Sequence, residues 1–130
     1  MNKDQTAIRL AGKLSRLTSS GKIQWVDAGA LGPWGDWPGQ VFKASFEDGV
    51  IAQIAEVAVP RSTIRSYYFG LAEGKPEIFE VFAEGYPAEP TDEKIKLLKT
   101  LEDLYLAARD NARGTLQKVE KFEQLLERLA

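Results

Sequence analysis

TDEKIKLLKT LEDLYLAARD NARGTLQKVE KFEQLLERLA, Thr91 to Ala130, carries apolar or small residues at Leu98, Leu101, Tyr105, Ala108, Ala112, Thr115, Val119, Phe122, Leu126 and Leu129. The intervals alternate three and four without a slip, which is the a/d seam of a heptad helix. Asp103, Asp110, Arg113, Gln117, Glu120, Lys121, Gln124, Glu127 and Arg128 line the far side as a solvated face. Leu97, Leu104 and Leu125 widen the stripe beyond a two-stranded seam, so the helix should also pack on a sheet. One unbroken helix from Asp92 to Leu129 would be about 57 Å long, against roughly 35 Å for a domain of this size. Two resolutions follow: a bend near Asn111 to Gly114, or an overhang buried against a second chain. Glycine inside a helix costs about 1 kcal/mol relative to alanine, so Gly114 is the place to break it. In either case the last turns, through Val119, Phe122, Leu126 and Leu129, are expected to build an oligomer interface, most simply a dimer.

Upstream of this helix the periodicity changes. Lys22–Asp27, Gln40–Phe46, Val50–Val59, Ser66–Ala72 and Glu77–Ala83 read as five strands. Glu47-Asp48-Gly49 and Glu73-Gly74-Lys75-Pro76 are turn signals between neighbouring strands. Connections this short force antiparallel pairing, because a parallel crossover needs a dozen residues or more. At the start of the chain, Ala7, Leu10, Leu14 and Leu17 mark one face of a helix capped by Asp4 and stopped by Gly21. The expected fold is therefore α+β. A short N-terminal helix, an antiparallel meander of about five strands and a long C-terminal helix on one face form a single domain over residues 1–130.

Two segments resemble a loose group of small bacterial and phage-type α+β proteins. Leu17-Thr18-Ser19-Ser20-Gly21-Lys22-Ile23-Gln24-Trp25 fits an opening Leu-Thr-x-x-Gly-Lys-Ile-x-Trp. Leu101-Glu102-Asp103-Leu104-Tyr105-Leu106-Ala107-Ala108-Arg109, with Ala112, fits a closing Leu-x-x-Leu-Tyr-x-x-Ala-Arg-x-x-Ala helix. The resemblance implies the same order of helix, sheet and long helix, and it implies no activity.

Composition removes whole classes of chemistry. The 130 residues include 17 Lys+Arg and 19 Asp+Glu, for a net charge of −2, and neither His nor Cys. There is no imidazole base, no Ser-His-Asp triad, no thiolate nucleophile, and no His- or Cys-held zinc. An enzyme would have to work with carboxylates, Tyr, Lys, Ser or Arg. Asp36 beside two tryptophans suits a glycosidase, but that reaction needs a second acid at a fixed separation, and the sequence names none. No Asp-x-Asp-x-Asp-Gly loop or P-loop occurs. We therefore expect no catalysis, no metal and no cofactor. The opening MNKDQTAIRL lacks the apolar run of a secretory leader, and no stretch approaches ~18 apolar residues, so the expectation is a cytoplasmic bacterial or phage protein without a membrane span.

Two clusters are candidates for binding. Residues 28–39, AGALGPWGDWPG, place Trp34, Asp36 and Trp37 in a Gly/Pro loop. Such tryptophans either anchor a partner or ligand, or fold back over the open end of the sheet. Arg61, Arg65 and Arg109 are the candidate anion-binding groups, the first two just before Tyr67 and Tyr68. Arg109 could equally pair with Glu102 or Asp110. Nucleic acid is not expected, since residues 41–90 hold four basic and eight acidic side chains and no basic stripe. That acidic segment suits a basic protein partner. The reading is a non-catalytic binding protein, self-associating through its C-terminal helix, of the inhibitor or immunity type. The alternative is a small-ligand binder holding a nucleotide or sugar between sheet and helix through Arg61, Arg65, Arg109 or Tyr105.

Overall fold

A computed structural model describes residues 2–29, 39–58, 63–74 and 77–130. The elements run α1 (Lys3–Ser19), β1 (Val26–Asp27), β2 (Gly39–Ser45), β3 (Val50–Ala58), β4 (Arg65–Glu73), β5 (Glu77–Ala83), α2 (Asp92–Arg113) and α3 (Thr115–Leu129). The fold is α+β. The five strands pair antiparallel in chain order, β1-β2-β3-β4-β5.

Alternation in the strands separates the two faces of the sheet. Phe42 opposes Ile54, Ile54 opposes Phe69, and Phe69 opposes Val81, so one row of apolar side chains crosses β2 to β5. That row forms the main core with Ala7 and Ala11 of α1 and Leu97, Leu101, Leu104, Tyr105 and Ala108 of α2. On the opposite face Val41, Ala55 and Tyr68, adjacent by the same register, make a second small cluster. The Glu47-Asp48-Gly49 turn joins β2 to β3 with Asp48 at φ 67°. Gly70 is required by close approach: a Cβ there would lie 2.5 Å from the Tyr68 hydroxyl, which crosses the glycine to donate a 3.1 Å hydrogen bond to Glu80.

Several boundaries differ from the sequence expectation, each for a local reason. The cap of α1 is Asn2 rather than Asp4. The Asn2 side chain accepts from the Gln5 N–H at 2.8 Å and the Gln5 side chain accepts from the Asn2 N–H at 3.3 Å, a reciprocal box that starts the helix at Lys3, two residues earlier. Ala7, Ala11 and Thr18 are buried in α1, Leu10 and Leu14 are half-buried, and Leu17 is exposed. Small side chains let α1 lie close to α2, and the leucines flank that contact. The first strand shrinks to Val26–Asp27. Ile23 and Trp25 are nevertheless buried, because the Trp25 backbone N–H is held by the Asn111 side chain instead of a strand neighbour. Phe46, the last residue of the second strand expected from the sequence, falls just beyond β2 and is exposed.

The C-terminal helix breaks at Gly114. The residue sits at φ 61°, ψ 36°, a left-handed conformation that glycine adopts at little cost, and its N–H reaches back to the Asp110 and Asn111 carbonyls. The break falls where coverage of the sheet ends. At 22 residues α2 is about 33 Å long, close to the width of the domain, and it buries five residues. Beyond Gly114, α3 has 15 residues and buries none.

Candidate functional site

Every residue from Thr115 to Ala130 is exposed, although α3 is the more strongly amphipathic of the two C-terminal helices. Leu116, Val119, Phe122, Leu125, Leu126 and Leu129 share one side of it, with exposures from 47% to 75%. At 100° per residue they span about half the helix circumference, wider than a stripe that only touches its own domain. Their exposed area is roughly 600–700 Å², and monomeric soluble proteins seldom leave a contiguous patch larger than a few hundred Å² open to water. The helix forms without support from a core because Leu, Gln, Lys and Glu dominate it, all good helix formers. Of this face, Val119, Phe122, Leu126 and Leu129 were expected from the heptad spacing. Leu116 is an addition, and plotting 100° per residue from Thr115 would have found it.

The place from which α3 departs is rigidly built. The Trp25 indole, fully buried, donates through Nε1 to the Thr18 hydroxyl at 2.8 Å, and Thr18 donates to the Leu14 carbonyl at 2.7 Å. The Trp25 N–H donates to Asn111 Oδ1 at 2.7 Å. The end of α1, the start of the sheet and the last turn of α2 are thereby tied together three residues before Gly114. Thr18, Trp25 and Asn111 lie in the segments 17–25 and 101–112, and Leu101, Leu104, Tyr105 and Ala108 of the second are core residues. Their role here is to build the domain. Beside the knot, an open polar groove of about 630 Å³ runs between Ser19, Gly21, Gln24, Asp110, Arg113 and Gln117.

The anion-binding candidates meet carboxylates. Arg65 Nε lies 3.5 Å from Glu56, which also accepts a 3.3 Å hydrogen bond from the Tyr67 hydroxyl. Arg109 Nε lies 3.5 Å from Asp110. Tyr67, Tyr105 and Phe42 form a row of tilted rings with centroids 5.6 Å apart, and Arg113 stands 6.0 Å over the Phe42 ring. Burial pushes the Tyr67 phenol well above its ordinary range, with the Glu56 charge acting the same way. Burial and Glu56 also raise Tyr105, while Arg109 and Arg113 pull it back. The fold thus gathers Arg65, Tyr105 and Arg109 around one region, but as a balanced set of charges around protonated phenols. A nucleotide would have to displace Glu56 or Asp110 from its guanidinium. Arg61, together with Trp34, Asp36 and Trp37 of the tryptophan loop, lies outside the described residues.

Glu77, Glu80 and the Tyr68 hydroxyl form a further cluster on β4 and β5. A hydrogen bond shared with Glu80 raises the Glu77 carboxyl above its ordinary range, as does the neighbouring charge. Among the described residues no group of three or more acidic side chains is arranged to hold a metal ion, and no helix is long and apolar enough to cross a membrane. No family model, curated protein or solved structure matches the chain.

Proposed function

We propose that this chain is a non-catalytic interaction protein that self-associates through α3, leaving the sheet and its loops to engage another protein. The exposed apolar side of α3 carries the reading: six large side chains in water on a helix that contributes nothing to its own domain's core. Two such faces brought together would bury roughly 1,200–1,400 Å², the lower end of the range for specific stable interfaces. The acidic segment 41–90 makes a basic protein the favoured partner, and Trp34 and Trp37 are the anchors this reading assigns to it, in the cytoplasm of a bacterium or its phage. Against a small-ligand role stand the carboxylate partners of Arg65 and Arg109.

Native mass spectrometry across a concentration series tests the self-association. The expected result is a dimer at the bare polypeptide mass, converted to monomer by Phe122→Glu with the domain still folded, since Phe122 contributes no core contact. A wild-type monomer at every concentration refutes it. For the recognition half, Trp34→Ala combined with Trp37→Ala should abolish capture of the partner, and full retention of binding would refute that assignment.

A further inference from the structure

The geometry of α3 points to a direction as well as a face: we propose that α3 pairs in parallel with α3 of a second copy, so both domains leave the same end of the assembly. This rests on the self-association reading and adds the orientation to it. In the heptad register, Val119 and Leu126 occupy a positions, and Thr115, Phe122 and Leu129 occupy d positions. The flanking positions are then Leu116 and Glu123 on the e side and Lys118 and Leu125 on the g side.

These flanks distinguish the two ways of laying one helix on another. In a parallel pair, each g residue lies beside the e residue five places further along the other helix, and charges there set partner choice and orientation. Lys118 then faces Glu123 of the second copy, and by symmetry Glu123 faces the other Lys118. Two attractive pairs form beside the Phe122 layer. In an antiparallel pair g lies beside g and e beside e. Lys118 could then meet only Lys118 or Leu125, and Glu123 only Glu123 or Leu116. No antiparallel register gives an opposite-charge flank, and two of them bring like charges together. The remaining flanks of the parallel pair are compatible, with Leu125 beside Ala130. Within a parallel arrangement, the β-branched Val119 at an a position favours two strands over three or four.

The domain is built to permit this. Gly114 ends α2 in a left-handed turn, so α3 begins a new helix whose axis is not bound to the sheet. At 15 residues α3 is about 22 Å long, too short to carry the two domains far apart when both sit at one end. Whatever surface of the domain meets a partner is then presented twice, side by side. A second binding event on a dimeric target becomes intramolecular, and avidity rises without any new contact.

The chain contains no cysteine, so one introduced thiol reports alone. In a parallel pair Leu129→Cys lies opposite itself and should form a disulfide-linked dimer under mild oxidation, as should Thr115→Cys at the other end. In an antiparallel pair centred on the apolar seam, the two copies of position 129 are roughly 15 Å apart, beyond the ~7 Å that a disulfide can bridge. A charge exchange provides the second measurement. Lys118→Glu and Glu123→Lys should each weaken the homodimer about tenfold, and an equimolar mixture of the two should form a heterodimer of wild-type affinity. A wild-type monomer at all concentrations overturns the self-association itself. A wild-type dimer in which neither cysteine variant cross-links and neither charge variant alone weakens the homodimer overturns only the parallel direction, since oppositely charged variants attract each other in either direction. A native assembly of three or four chains whose cysteine variant still yields the disulfide-linked dimer overturns the number of copies and keeps the direction.

Discussion

Thr18→Val removes one oxygen atom from the knot that ties α1 to the sheet and leaves the shape almost unchanged. Thr18 is 4% exposed and Trp25 is fully buried, so the indole N–H, now 2.8 Å from the Thr18 hydroxyl, would have no water to turn to. Leaving a buried donor unpaired costs about 1–3 kcal/mol. Valine is β-branched like threonine, so helix propensity and packing volume stay nearly constant and the loss is attributable to the hydrogen bond. The Leu14 carbonyl also loses the donor it receives from Thr18 at 2.7 Å. A central value of ~2 kcal/mol should lower the urea midpoint by about 1 M at unchanged slope, followed by far-UV circular dichroism. Thr18→Ser is the informative control. It keeps the hydroxyl and deletes one methyl group, a loss of about 0.8 kcal/mol by transfer alone. Serine should therefore be the milder substitution, although valine is the more hydrophobic. Valine equal to or more stable than serine would refute the assignment of the Trp25–Thr18 bond as a determinant of the core.

Gly70→Ala should destabilise the protein by about 1–3 kcal/mol in the same urea assay, because the new methyl meets the Tyr68 ring 2.5–3.0 Å away and forces the hydroxyl from Glu80; a neutral result would mean Tyr68 does not cross that strand. Glu77 has a carboxyl pKa raised above 4.5 by the hydrogen bond it shares with Glu80. The folded state then binds more protons between 4.5 and that higher value, so its contribution to stability grows as pH falls through this window and is lost as pH rises. Thermal melts of Glu77→Gln should show a flatter pH profile there, and a profile identical to wild type would exclude the shared proton. Tyr67, Tyr68 and Tyr105 are all raised above 10.0, chiefly by burial. Their contribution is full below pH 10 and declines as the unfolded chain ionises above it, so in a Tyr86→Phe variant, which removes the exposed fourth tyrosine, alkaline unfolding should precede tyrosinate absorbance from the native protein. Native tyrosinate appearing first, without unfolding, would show that these phenols are solvated.

Local chemistry made most of the fold legible. The strand ranges were readable from the sequence, and the pairing register then sets Phe42, Ala44, Ile54, Phe69 and Val81 on the one face that meets the helices, because side chains change face at every residue. The short turns dictated antiparallel order, and the three-four spacing of Leu101, Tyr105 and Ala108 marked the side of α2 that reaches the sheet. Helix length against domain size left two resolutions, a bend near Asn111 to Gly114 or an overhang covered by a second chain, since a rod of about 57 Å cannot be covered by a body roughly 35 Å across; the break at Gly114 was decided by the structure. The exposed apolar face of α3 was visible in part for the same reason: Val119, Phe122, Leu126 and Leu129 continue a seam that has no sheet left to cover it.

Other features arise from contacts between distant parts of the chain, and no local pattern encodes them. Trp25 is buried without belonging to a strand because Asn111, 86 positions away, supplies its backbone partner. The cap of α1 is a different case: Asn2 displaces Asp4 through a reciprocal bond with Gln5 three residues on, a local capping-box pattern that the choice of Asp4 passed over. Arg65 looked like a ligand for an anion as long as its neighbours in space were unknown, and Glu56 reaches it only through the β3–β4 register. Periodicity declares which residues must leave water. Pairing across the sheet and between helices, which depends on three-dimensional distance, decides which polar groups accompany them and which face is left over.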